Sequence, residues 1–211
     1  MATWFTILDL AGTAVFAFTG ALKAFRHKLD ILGVLVLSAL TGVGGGMLRD
    51  ALIGELPPAA LRHESYIFIC LGVALAAFLA APLIARWRRG LPLVMVADAV
   101  GLGVFTAIGA AKGDAAGLGT VGILLTASLS AVGGGILRDV LVREIPAVIQ
   151  KDFYATASLL GAGAYLGIGF LGLPPLAQMV GALLVCTGLR LTAMATGMSL
   201  PKARLPEDIT L

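Results

Sequence analysis

Long apolar runs separated by short polar breaks make up almost the whole chain, and each run is about the length of a membrane span. A hydrocarbon core of about 30 Å is crossed by about 20 helical residues at 1.5 Å per residue. The first run covers about 3–22 and stops at Lys23, Arg26 and Lys28. The second, about 31–56, is ended by Pro57 and Pro58, with Arg62, His63 and Glu64 following. The third is uncharged from Ser65 to Ala85 and stops at Arg86, Arg88 and Arg89. The fourth, about 91–111, carries Asp98 and ends at Lys112, and the fifth runs uncharged from Ala115 to Leu137 and on through Arg138 and Asp139 to Pro146. A charge-free stretch from Phe153 to Leu189 has the length of two spans, and Pro174 and Pro175 cut it into a sixth and a seventh helix. The pattern predicts an all-α polytopic membrane protein with seven transmembrane helices in a single domain over 1–200, and a polar tail over 201–211.

Within this pattern the segment 41–57, TGVGGGMLRDALIGELP, recurs over 130–146 as SAVGGGILRDVLVREIP, 89 residues later and identical at ten of seventeen positions. The same offset superposes Asp9 on Asp98, Gly12 on Gly101, Phe16 on Phe105, Lys23 on Lys112 and Glu55 on Glu144. Repeat one is therefore about 3–89 and repeat two about 91–173, with an unpaired seventh helix at about 176–196. Three spans is an odd number, so the second repeat enters the membrane from the opposite side and the repeats are inverted.

Each copy sets three glycines and an Arg-Asp pair inside an apolar run. Charges in lipid are costly unless they are buried in protein or line a wet cavity, so the duplicated stretch marks a polar path. Glycine loses about 1 kcal/mol relative to alanine in a helix, and three in a row are expected to unwind or kink the second and fifth helices near mid-span. Freed carbonyls there would suit cations. The candidate pathway residues are Gly44, Gly45, Gly46, Arg49 and Asp50 with Gly133, Gly134, Gly135, Arg138 and Asp139, together with Thr41 and Ser130. Neighbours on a helix diverge by about 100°, so the expected pairing runs across the pseudo-symmetry axis, Arg49 with Asp139 and Arg138 with Asp50. Secondary positions are Asp9 and Asp98, read either as hydrogen-bonded helix contacts or as permeation residues. Ser38, Thr126 and Ser128 offer hydroxyls either to ions or to their own backbone. Lys23 and Lys112 are expected to snorkel to the interface, and Arg190 to be a structural partner.

Composition agrees with a membrane chain: 59% of residues are hydrophobic and 13% charged, about half the charged fraction of a soluble domain. The net charge of +3 does not point to nucleic acid, because the basic residues sit in the short breaks, where lipid headgroups lie. Ten Lys and Arg fall on one set of connections and two on the other. The positive-inside rule then puts the N-terminus outside and the C-terminus in the cytoplasm of a cell (inner) membrane. Cys70 and Cys186 lie in apolar runs and read as small core residues, and no nucleotide loop, paired histidines or activated nucleophile suggests an enzyme or a bound cofactor.

With VGGGMLRDALIGELP and VGGGILRDVLVREIP in a three-plus-three-plus-one plan, the chain resembles the bacterial members of the TRIC family of trimeric intracellular cation channels, over about Asp9 to Thr196. The resemblance implies a homotrimer with a pore in each subunit, lined by the second and fifth helices. It also implies permeation by monovalent cations, chiefly potassium, with no fixed metal site. Similar bacterial sequences are also classed as glycine transporters, which leaves a secondary transporter as the alternative.

Overall fold

The computed structural model describes residues 3–86, 90–150 and 153–198. Arg88, Arg89 and the polar tail over 201–211, both used in the charge argument, lie outside them. The described chain is all helix: α1 (Thr3–Arg26), α2 (Ile31–Leu52), α3 (Ala59–Arg62), α4 (Ser65–Leu79), α5 (Ala81–Arg86), α6 (Gly90–Ala115), α7 (Thr120–Leu141), α8 (Ala147–Gln150), α9 (Ala155–Phe170) and α10 (Pro175–Thr196). Five of these, α1, α2, α6, α7 and α10, are long and apolar enough to cross a bilayer, and α4 and α9 are shorter apolar helices. With exposed side chains such as Phe68, Leu79, Leu125 and Leu184 on its outer faces, this is a multi-pass membrane protein.

The third span is divided where the sequence suggested one run. Pro82 lacks an N–H and crowds the preceding turn, so α4 closes at Ala80 and α5 starts beyond it. The two glycine helices also end earlier than the prolines imply. Gly54 and Arg143, one repeat offset apart, both adopt left-handed conformations (φ 77 and 58). The next N–H then turns back onto the helix, Glu55 N to Asp50 O at 2.8 Å and Glu144 N to Asp139 O at 2.9 Å, which closes the last turn. The chain continues into the short helices α3 and α8, neither apparent from the apolar pattern.

Residues one repeat offset apart make reciprocal contacts. A Cβ on Gly12 would meet Phe105 and one on Gly101 would meet Phe16, and the two rings pack with centroids 5.1 Å apart. In repeat one α1 packs on α2 and α4; in repeat two α6 packs on α7 and α9. Close approach is set by glycine in both halves: Gly20 abuts the backbone at Ser38 and Gly109 the backbone at Ala127. The helix α10 covers α6 and α9, where Cys186 and Ala182 press against Gly161.

The axis runs through the crossing of α2 and α7. A Cβ on Gly45 would lie 2.3 Å from Ser130 O, and one on Gly134 would lie 2.2 Å from Thr41 O, so the two backbones touch. Both helices run on as helix through their glycine triples, which corrects the expectation that the chain unwinds there. The physical reason is packing: contact between the two helices holds the glycines in helical conformation despite their weak propensity.

Candidate functional site

The crossing is antiparallel, with Arg49 meeting Ser130 and Gly45 meeting Gly134. Residues beyond the glycines on α2 and on α7 therefore travel in opposite directions from the axis. Asp50 and Asp139 each lie five residues past a central glycine, so the two Arg-Asp pairs stand about 15 Å apart along the helices. This separation overturns the cross-axis pairing of the arginines. Arg49 Nε and Nη2 instead fold back on Asp50 Oδ1 at 2.9 and 2.8 Å, and Arg138 Nε donates to Asp139 Oδ1 at 3.0 Å. The side chains diverge at Cβ, but the long arginine stem brings the guanidinium back over the adjacent carboxylate.

The repeats are braced across the axis by the lysines. Lys112 Nζ, from repeat two, lies 2.9 Å from Asp50 Oδ1 and 2.5 Å from Glu55 Oε2 in repeat one. Lys23 Nζ, from repeat one, lies 3.2 Å from Asp139 Oδ1 and 2.5 Å from Glu144 Oε2 in repeat two. Lys112 is 4% exposed, so it does not snorkel to the interface as the sequence suggested; carboxylates of the other repeat hold it inside. The free carboxylate oxygen of each aspartate takes a backbone N–H from the following short helix, Ala59 N to Asp50 Oδ2 at 2.9 Å and Ala147 N to Asp139 Oδ2 at 3.0 Å. The result is two equivalent ion-pair layers, one on each side of the glycine crossing.

The layers differ in their surroundings. Around Asp50, a small cavity is lined by Asp9, Thr13, Gly46, Arg49, Tyr66 and Phe105 among others. Its void of about 10 Å³ is on the scale of one water molecule. Asp9 accepts a hydrogen bond from Tyr66 of α4 at 2.7 Å, and Arg49 Nη1 donates to Ser130 Oγ at 3.2 Å. Around Asp139, Arg138 Nη1 lies 3.6 Å from Asp98 Oδ1 and donates to Thr19 Oγ1 at 3.1 Å. Arg190 lies over the ring of Tyr154 with its guanidinium carbon 4.9 Å from the centroid. Outside the spans, Glu144 is held below the usual glutamate range because Lys23 and then His27 hydrogen-bond its carboxylate.

Within each triple the glycines take different positions. Gly44, Gly45, Gly133 and Gly134 lie in the crossing, where a Cβ would strike Leu137, Ser130, Gly45 or Thr41. Gly46 and Gly135 face the guanidinium groups instead, with Arg49 Nη2 3.5 Å and Arg138 Nη2 3.7 Å from an added Cβ. Thr41 and Thr126 hydroxyls bond their own helix at Leu37 O and Gly122 O, whereas Ser38 and Ser128 hydroxyls are enclosed without a hydrogen-bond partner among the described residues. Glu55 and Glu144, Thr19, Tyr66, Tyr154 and His27 are not among the site candidates read from the sequence. The two glutamates had a readable signal, since both stand at the same place in the repeated stretch.

Comparison with known proteins agrees with this architecture. A family model described as glycine transporter matches residues 6–82 and 95–169. A UPF0126 membrane protein of Deinococcus radiodurans is 44% identical over 95% of this chain and 92% of its own. The UPF0126 inner membrane protein YadS of Escherichia coli is 37% identical over 95% and 97%. Among solved structures, the TRIC trimeric intracellular cation channel orthologue from Rhodobacter sphaeroides superposes with a TM-score of 0.87 at 34% identity, covering 93% of this chain and all of that one. A second structure, from work on conductance through TRIC cation channels, gives 0.87 at 31% identity over 96% and 98%. Fold, sequence and the doubled glycine-Arg-Asp signature agree: the chain belongs to the TRIC family.

Proposed function

We propose that the protein is a monovalent cation channel, conducting chiefly potassium, that assembles as a homotrimer with a pore in each subunit. The observation that carries this reading is the pair of cross-braced ion-pair layers flanking a helix crossing made of glycine. Arg49, Asp50, Arg138 and Asp139 are buried at 8% exposure or less, charges that a purely structural membrane bundle does not need. The path runs beside the crossing and not through it, past Gly46, Arg49, Asp50 and Asp9 in one layer and Gly135, Arg138, Asp139 and Asp98 in the other. Gly44, Gly45, Gly133 and Gly134, with Thr41 and Ser130, set the spacing of the two helices that bound it. The layer at Asp50 holds three carboxylates, Asp9, Asp50 and Glu55, against the two cations Arg49 and Lys112, and this excess favours cations over anions. Lys23 and Lys112 close the two ends by holding the repeats together. Relatives described as TRIC cation channels, one of them trimeric, support the reading.

The membrane arrangement that goes with it has seven spans, α4 continuing into α5 as the third, in one domain ending near residue 200. The N-terminus is outside and the C-terminal tail lies on the cytoplasmic side of the inner membrane. The description of the matching family model keeps a second reading open, a carrier for glycine. Purified protein in planar bilayers with a potassium chloride gradient, and in liposomes for glycine uptake, separates the two. Unitary currents whose reversal potential follows the potassium gradient support the channel, and glycine-driven uptake without unitary current refutes it.

A further inference from the structure

The two ion-pair layers share their lysine, aspartate and glutamate, and one of their differences lies beside the glutamate. Past Lys23 the chain leaves α1 through a turn in which His27 Nε2 lies 2.6 Å from Glu144 Oε1, while Lys23 occupies Glu144 Oε2. In the other layer the repeat offset puts Ala116 at the histidine position, and among the described residues Glu55 makes its ion pair with Lys112 alone. Both oxygens of Glu144 are thus engaged from the α1 side, and the turn that carries it follows directly on α7.

Resting on the channel reading above, we propose that His27 is a proton-operated positioning residue for permeation: its protonation clamps the turn after α7 onto α1 and closes the Asp139 end of the path, with no counterpart at the Asp50 end. A neutral imidazole donates one hydrogen bond to Glu144, and an imidazolium adds a full charge to it. Once the turn moves away, the imidazolium returns to water and gains nothing from Glu144. Acid therefore favours the closed arrangement, and the added closure is lost as pH rises through the histidine range. The other charged groups on the elements that meet here are Lys23 and Arg26 on α1, Lys28 and Asp30 before α2, and Asp139 and Arg143 on α7 and its turn. Asp30 is committed to capping α2 at Gly33 N, and Asp139 to Arg138, Lys23 and Ala147, which leaves Glu144 as the carboxylate in contact with the ring. His27 and Glu144 are 30% and 45% exposed, so protons reach the pair freely and its strength is that of a surface ion pair. That sets the expected change in flux at about two- to fivefold.

Two measurements on the full-length protein test this. In proteoliposomes, wild-type potassium flux should fall about two- to fivefold between pH 8 and pH 5.5, and His27→Gln should be flat over the same interval because glutamine donates to Glu144 at every pH. In detergent micelles, NMR titration of the His27 ring in wild type and Glu144→Gln reads the pair without reference to transport. His63 is the only other histidine, so a His63→Gln background assigns the signal. Glu144→Gln should shift the His27 ring resonances at pH 5.5. A His27→Gln protein that keeps the wild-type pH profile, or ring resonances that Glu144→Gln leaves unmoved at pH 5.5, overturns the proposal. Wild-type protein with no flux at any pH refutes the channel reading and removes the gating role with it, whatever the titration shows.

Discussion

Alanine at Gly45 is the most discriminating perturbation of this architecture. The new Cβ would lie 2.3 Å from Ser130 O, a backbone atom that cannot rotate aside, where an ordinary contact is at least about 3.4 Å. The helices α2 and α7 must therefore separate locally by about 1 Å. Overpacking of this kind costs about 1–3 kcal/mol, and a rigid backbone neighbour places it toward the upper end. Removing a helical glycine returns about 1 kcal/mol, so the net loss is about 1–2 kcal/mol. Gly134→Ala should behave alike, its Cβ meeting Thr41 O at 2.2 Å. Because the two methyl groups demand the same separation of the same helices, the double variant should lose less than the sum of the singles. Gly46→Ala is the control, since its Cβ meets only Arg49 Nη2 at 3.5 Å, an ordinary contact with a flexible side chain. Reversible unfolding in detergent, followed by helical circular dichroism, gives all four free energies. A Gly45→Ala protein as stable as wild type, or a Gly46→Ala protein less stable than Gly45→Ala, refutes the assignment of Gly45 and Gly134 to the crossing and of Gly46 to the path.

Other expectations follow from the ion pairs and the repeat. Arg49→Ala leaves Asp50 with Lys112 as its one ion-pair partner among the described residues and should cost about 3–5 kcal/mol; Arg49→Ala with Asp50→Ala should recover more stability than Arg49→Ala with Asp139→Ala, and the reverse order in a denaturation series would restore pairing across the axis. Lys112→Met removes a cross-repeat brace and should loosen protection of the Asp50 end in hydrogen exchange; unchanged exchange there would show the brace to be idle. The pairing of Glu144 holds its ionised form, so its stabilising effect is present above the ordinary glutamate range and is lost as pH falls below that range, through the lowered folded-state value. The difference in unfolding temperature between wild type and Glu144→Gln should accordingly shrink as pH falls below the ordinary glutamate range, and a difference constant with pH would show that the pair adds nothing. A reporter fused after Leu211 should be cytoplasmic and one inserted near Gly113 should face outside; a cytoplasmic reporter at Gly113 would end the inverted-repeat plan.

By itself the sequence determined the membrane class, the helical character and the repeated stretch. These depend on composition, on the lengths of apolar runs and on a fixed offset, all of which are local or periodic. It also marked the two stretches that matter, because charge and glycine inside a span are costly wherever they occur. Only the tertiary structure decided what each marked residue does. Whether Arg49 meets Asp50 or Asp139 depends on the antiparallel crossing of α2 and α7, which carries the two pairs to opposite sides of the axis. Whether Lys112 reaches water or Asp50 depends on how repeat two packs on repeat one. The split of each glycine triple into two crossing residues and one facing a guanidinium is set by the rotation of one helix on the other. The approach of His27 to Glu144 joins residues 117 positions apart at the ends of two different helices. None of these relations is periodic in the chain: packing of distant segments creates each of them, and it is also what holds the glycines helical against their own propensity.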